Sequence, residues 1–498
     1  LLDEPESGVD LESIDRVGRA VKELLDGKKG CAGKKTIAGK SALIITHTGQ
    51  ILDYVEADRA YVMCNGTISC SGNPRELLQE IRQRGYEECQ MQGGSDKLRK
   101  EAEEALRKKA AFGEDIDLES YSIAPKELDQ ADSLEDLGAE IQSTLLSSGI
   151  VPTEEGRSGS FLLMDNAVVH ESRKEKGLEL MSTQQALSKH DWVKDYYWKA
   201  ISPDTDKYTA ATYMENADGY FIRAIAGQSV SLPVQTCLLL GSEDATQTVH
   251  NIVIIEEGAE LEVVTGCAAK HGVERALHLG ISELYIKKGG RLTFTMIHNW
   301  AEQVGVRPRT YVKVGEGGTY VNNYVCLRPV RSVQMYPTAA LEGSGAVGRF
   351  NTIAIAHPGS EIDIGSRVVL SAPQSRAEIV SRTITTGGRS IARGRLVGSA
   401  PGIKAHLECK GLILKEGGVQ LAIPELEATL PDVEMTHEAA VGKIAQDQVE
   451  YLMARGLSQD EAVGMIVRGF LEVGIRGIPD ELKREIDKTI SVAEISKG

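Results

Sequence analysis

Three side chains share one offset. Cys267 follows Gly258 by nine residues, His298 follows Gly289 by nine, and Cys326 follows Gly317 by nine. If each glycine marks the same turn of a coiled chain, the three stand in one column on successive coils, about 4.8 Å apart. Thiol and imidazole are soft and borderline donors, so the column reads as a ladder of metal or sulfur ligands. Core packing would give the same pattern, because free Cys is among the most buried residue types. Cys409 and His437 lie close to one coil apart and read as neighbours on adjacent rungs.

A second group opens the chain. "LLDEPESGVD" runs two apolar residues into Asp3, Glu4 and, further on, Asp10. "SALIITHTGQILDYV" is an apolar run that ends at Thr46 and His47. Together they resemble the Walker B segment, D-loop and switch histidine of an ABC-type ATPase. "ADRAYVMCNGTISCSGNPREL" resembles the closing strands and C-terminal helix of such a domain, and "EIRQRGYEECQ" the C-terminus of SufC. The resemblance implies that Asp3 and Asp10 lie at the Mg2+ and nucleotide. Glu4 would polarise the attacking water, and His47 would sense the γ-phosphate. A phosphate cradle needs G-x-x-x-x-G-K-[ST]. "GCAGKKTIAGKS" places Lys34 where the first glycine belongs and follows the Walker B segment. Leu1 is not Met, so the start reads as truncated, and the chain alone is expected not to hydrolyse ATP. Lys28 to Lys40 reads as a surface insertion.

These residues need elements to position them. Beyond Ala210, short alternating runs such as "NIVII", "AELEVV", "ELYI", "RLTFTMI" and "RTYVKV" predict strands. Between them a glycine turn recurs at Gly258, Gly289, Gly317, Gly359, Gly387 and Gly417, mostly at steps of about 30 residues, one step being longer. A repeat of that length predicts a solenoid of β coils. From about Asp96 to Trp198 the pattern reads as mostly helical. The net charge of −16 argues against a nucleic-acid or anionic-membrane binder, either of which needs a basic face. No apolar run approaches the ~20 residues that span a bilayer. Cysteines without a framework spacing suit unpaired thiols in a reducing cytoplasm.

From Met91 to the end the chain resembles the SufB/SufD family of iron–sulfur assembly scaffolds. "VTGCAA", "IHNW", "HLECKGLIL" and "THEAAVGKIAQDQVEYLMARGLSQDEAVGMIVRGF" carry the resemblance. It implies a mixed fold: a right-handed parallel β-helix with N- and C-terminal helical regions, preceded here by the partial α/β ATPase fragment. It implies that Cys267 accepts sulfur, with His298 and Trp300 on the transfer route. Cys409, His437 and Glu438 would hold the nascent cluster at a subunit interface. His298 departs from the family, whose motif there reads Gln-Asn-Trp. Implied partners are a SufC-like ATPase, a second SufB-like subunit, a sulfur donor such as a cysteine desulfurase or sulfide, and apo iron–sulfur proteins. Implied cofactors are the transient cluster, ATP with Mg2+ at the completed ATPase and, optionally, reduced flavin. Thiolate is the first-choice ligand for such clusters, and a mixed Cys/His/Glu site suits one that must be released.

The expected domains are 1–90, the ATPase half; 91–205, a helical region; 206–436, the β-helix; and 437–498, a helical region that docks the ATPase. In the last, Ser458 caps a helix with Ala462, Met465, Ile466 and Phe470 at helical spacing. A SufD-like subunit that transmits ATPase motion without building a cluster is the alternative. A β-helix carbohydrate enzyme would need a groove of clustered carboxylates, and none stands out.

Overall fold

The structure is a computed structural model that describes residues 2–5, 11–26, 42–64, 67–84, 98–228 and 230–471. It divides into two compact units, Leu1–Glu101 and Ala102–Gly498.

In the first unit, strand Leu2–Asp3 lies parallel to Ile44–Ile45. Helix Leu11–Asp26 buries Ile14 and Val21 with Ile51 and Val55. An antiparallel pair, Ala60–Cys64 and Thr67–Gly72, carries Val62 against Leu77 of helix Pro74–Arg84.

The second unit is a parallel β-solenoid built of two long walls. The first wall runs, in order, through Gly159–Met164, Val234–Leu240, Glu260–Ala269, Arg291–Asn299, Thr319–Cys326, Val347–Ala356, Arg376–Thr385, Ile403–Ile413 and Val433–Lys443. The second includes Ala245–Ile255, Arg275–Ile286, Arg309–Val314, Glu361–Leu370, Arg389–Gly398 and Val419–Ala428. Alternate side chains of each strand face inward, because successive residues of a strand point to opposite faces. One continuous core results, from Phe161 through Val263, Phe294, Tyr320, Phe350 and Ile379 to Leu407. Such doubly covered walls read as near-continuous apolar runs, as in "NIVII".

The glycine turns separate into two sets. Gly258, Gly289 and Gly317 lead into the first wall and continue as Gly345, Gln374 and Gly402, all with positive φ. Each turn donates a backbone hydrogen bond to the next, from Gly258 N to Lys288 O through to Gly402 N to Asp432 O. Gly359, Gly387 and Gly417 lead instead into the second wall. The alignment of all six in one column is therefore corrected: the long step from Gly317 to Gly359 is one coil plus a change of wall.

The expectation of mostly helical structure up to Trp198 is corrected as well. Gly159–Met164 and Ala167–Arg173 form a hairpin on the first wall, and Leu178–Ser182 joins the second. Short helices do occur there, at Ala139–Ser147 and Thr183–Lys189. Helix Gln459–Leu471 lies on the outside of the first wall. Its Val467 and Leu471 pack with Val325, Ile353, Ile384 and Leu412. Ser458 caps it reciprocally: Glu461 N donates to Ser458 Oγ at 3.3 Å, and Ser458 N donates to Glu461 Oε2 at 2.7 Å. The buried face is Ala462, Gly464, Val467 and Leu471, so Met465 of the expected stripe is turned outward. Among the described residues no helix is long and apolar enough to cross a membrane.

Candidate functional site

The pleat and the turn column together place the thiols. Cys267 is the register partner of His298, and His298 of Cys326. The predicted ladder is present, and its three side chains face the interior with at most 2% exposure. The column continues as Ala354, Thr383 and Gly411. A neighbouring interior column runs Thr265, Met296, Tyr324, Thr352, Ser381 and Cys409. Cys267 and Cys409 therefore share one inner wall, five rungs apart, or about 24 Å at the usual strand spacing.

Tyr324 joins the two columns. Its hydroxyl lies 2.9 Å from His298 Nδ1. Trp300 follows the strand and sits between two imidazoles, 5.2 Å from the His298 ring and 5.1 Å from that of His278 on the second wall. His278 Nδ1 lies 2.7 Å from Gln247 Oε1. Neither His298 Nε2 nor Trp300 Nε1 meets a hydrogen-bond partner among the described residues.

Burial sets the protonation of this interior. Desolvation holds His298 well below its ordinary pKa and His278 at about 3, so both rings are neutral near neutral pH. It raises Cys267 well above the usual thiol value and pushes Cys326 up to about 12. Cys409 rises to about 11, with Arg382 pulling in the opposite direction. A cavity of about 10 Å³ lies among Phe294, Met296, Asn322 and Tyr324, room for about one water.

The far end of the solenoid is different. Among the described residues, Val433–Lys443 pairs only with Ile403–Ile413, and Val419–Ala428 only with Arg389–Gly398. Leu421, Leu426, Leu430 and Val441 are exposed there. Cys409, one rung in, is fully buried. His437 and Glu438 lie inside the final strand, so neither is at a helix N-terminus. The register partner of Cys409 is Ala439; His437 partners Leu407 and Glu438 partners Glu408. His437 is thus on the adjacent rung, as expected, but two residues off the register of Cys409. Among the described residues no three His, Cys, Asp or Glu side chains converge as a metal site, so one chain does not gather Cys409, His437 and Glu438.

In the first unit, Glu4 Oε1 contacts His47 Nε2 directly. Asp3 sits on the strand paired with Ile44–Ile45, which leads to His47. Asp10 lies outside the described residues.

Sequence reasoning missed Tyr324, Thr352 and Ser381, although they recur at the same spacing that leads to Cys409. It also missed the outer-face charges Arg382, Glu408 and Lys410, whose pairing spans whole coils.

A two-walled parallel solenoid with a column of thiols and imidazole inside it defines a β-helix protein with a soft-ligand interior. The chain belongs to the SufBD family of iron–sulfur cluster assembly proteins. Residues 238–470 match the family model described as "SUF system FeS cluster assembly, SufBD core domain". The chain is 46% identical over 400 residues to an iron–sulfur cluster assembly SufBD family protein of Methanothermobacter thermautotrophicus, covering 79% of this chain and 98% of that one. It is 51% identical over 346 residues to the Archaeoglobus fulgidus protein of the same description, covering 70% and 93%. It is 30% identical over 382 residues to the iron–sulfur cluster assembly protein SufB of Bacillus subtilis, covering 74% and 81%.

Proposed function

We propose that the chain is a SufB-like scaffold on which a nascent iron–sulfur cluster is assembled as cargo and passed to apo proteins in the cytoplasm. A desulfurase persulfide passes its outer sulfur to Cys267 by thiol–persulfide exchange, the donor leaving as its thiol, whereas free sulfide joins the cluster directly with no change of oxidation state. The sulfur taken up by Cys267 travels along the inner wall past His298, Trp300 and the hydroxyls of Tyr324, Thr352 and Ser381. Cys409 receives it beneath the open rim, and His437 and Glu438 complete the site with a second copy across that rim. The carrying observation is the shared inner wall: two columns side by side, joined by Tyr324 and leading to the end of the solenoid whose last strand, among the described residues, pairs on one side only. A thiolate is the strongest iron ligand available there, so its loss outweighs that of an imidazole.

A SufC-like ATPase, worked by ATP and Mg2+, would dock on the C-terminal helices, where Tyr451, Met453 and Met465 are exposed. The Glu4–His47 contact supports reading residues 1–90 as the matching half of such an ATPase, and the scaffold's helical tail is read as beginning after the last strand, Val433–Lys443, and not at 437. Reduced flavin is an admissible reductant.

The test is anaerobic reconstitution with iron and sulfide, read by iron content and sulfur-to-iron absorption. Cys409→Ala should lose most of the cluster with its circular dichroism intact. His437→Ala should lose less, and Cys64→Ala nothing. A normal cluster in Cys409→Ala would overturn the reading. It would favour instead a SufD-like subunit that builds none.

A further inference from the structure

His437 and Glu438 are consecutive residues of a regular strand. His437 ends the interior column that runs through Ile379 and Leu407, whereas Glu438 stands on the outer face opposite Glu408. Successive side chains of a strand point to opposite faces, so both cannot reach one ion while the strand keeps its pleat.

Lys410 fixes the outward member. Its Nζ lies 3.0 Å from Glu438 Oε1 and 2.7 Å from Glu408 Oε1. Arg382, one rung back, pairs with the same Glu408 oxygen. The guanidinium of Arg382 lies 5.8 Å from the ring centroid of Phe470, on helix Gln459–Leu471. Arg382 and Glu408 are mostly covered, with side chains 12% and 15% exposed, while Glu438 is 57% exposed. Burial works against the Glu408 charge, but Lys410 and Arg382 hold its carboxyl below the usual range. An unbroken line of contacts, Phe470–Arg382–Glu408–Lys410–Glu438, thus connects the outer helix to the rim strand. Its inner members are firmly held, and its last pair is the exposed one that yields first.

We propose that Lys410 is a latch. It pins the rim strand in its pleat with Glu438 on the outer face, apart from His437 and Cys409, and the ligand set assembles only when the Lys410–Glu438 pair opens and the strand leaves that pleat. Movement of the outer helix reaches the latch through Phe470 and Arg382. The inference rests on the reading of Glu438 as a cluster ligand.

The experiment measures iron(II) binding to the iron-free full chain, anaerobically, by competition with a chelator, without ATPase or nucleotide. Because a half-exposed ion pair is weak, its removal should raise affinity by about two- to fivefold. Lys410→Met and Lys410→Gln should show that gain, and Lys410→Arg should bind as the unaltered chain does. Lys410→Met combined with Glu438→Gln should lose the gain. Unchanged or weaker binding in both neutral variants, or a gain that survives Glu438→Gln, overturns the latch. Thermal unfolding of each variant tells a binding change from a folding defect. Failure of the parent reading looks different: Glu438→Gln and Cys409→Ala, each alone, would then bind iron as the unaltered chain does.

Discussion

The wall around Cys267, His298 and Cys326 and the rim around Cys409, His437 and Glu438 use the same residue types in opposite settings. At the first, every strand has a neighbour on each side and the chemistry-bearing groups are sealed inside. At the second, the last strand has one neighbour among the described residues, and its His and Glu stand in the open. The difference teaches that position along a solenoid, more than residue identity, decides whether a ligand is fixed or available.

Variants can break that contrast. Phe294→Ala, in the sealed part, should destabilise the chain by about 3–5 kcal/mol, because a buried aromatic leaves a cavity that the walls cannot close. Urea unfolding measures it. Gly266→Ala comes next. A methyl there would lie 2.7 Å from Ser148 O and 2.8 Å from Ser148 Oγ, where the turn after helix Ala139–Ser147 sits on the wall. Overpacking of that kind costs about 1–3 kcal/mol. Ser458→Ala removes a cap from the outer helix and should cost about 1 kcal/mol. At the rim, Leu426→Ser should change unfolding by no more than about 0.5 kcal/mol, yet weaken any self-association seen in sedimentation. If Leu426→Ser were as damaging as Phe294→Ala, the contrast would fail.

The pH dependence sharpens the same contrast. His278 has a pKa of about 3 in the fold against about 6.5 unfolded. Its contribution is complete above pH ~6.5 and is lost as pH falls towards 3, since only the unfolded chain takes up the proton. Cys326, raised to about 12, acts in the other direction. Its contribution is complete below the unfolded thiol pKa of ~8.5 and is lost as pH rises towards 12. His278→Gln should flatten the acid limb and Cys326→Ala the alkaline limb of a stability–pH curve.

Much of this was legible in the sequence, for a physical reason. A coil of nearly constant length turns register into arithmetic, so equal offsets from Gly258, Gly289 and Gly317 placed Cys267, His298 and Cys326 correctly. The same arithmetic misled at Gly359, because a glycine turn looks alike at either corner of the coil. The hairpin at 159–173 was hidden by its shortness and by the polar stretch before it. The opposite facing of His437 and Glu438 could not be read while the end of the last strand was unknown. The Lys410–Glu438 contact was invisible because an ion pair across coils leaves no local pattern.

The one-sided final strand also has a kinetic consequence. To open, it must break a single ladder of backbone bonds, whereas any inner strand must break two. In a linear array whose neighbours supply most of the stability, opening then starts at the rim and spreads inward, one coil at a time. Amide hydrogens of Val433–Lys443 should exchange fastest among the wall strands, with protection climbing through Ile403–Ile413 and Arg376–Thr385 towards Arg291–Asn299. Cys409 sits one coil from that fraying edge, so the thiol sealed in the resting fold is the first on the wall to be uncovered by ordinary thermal opening.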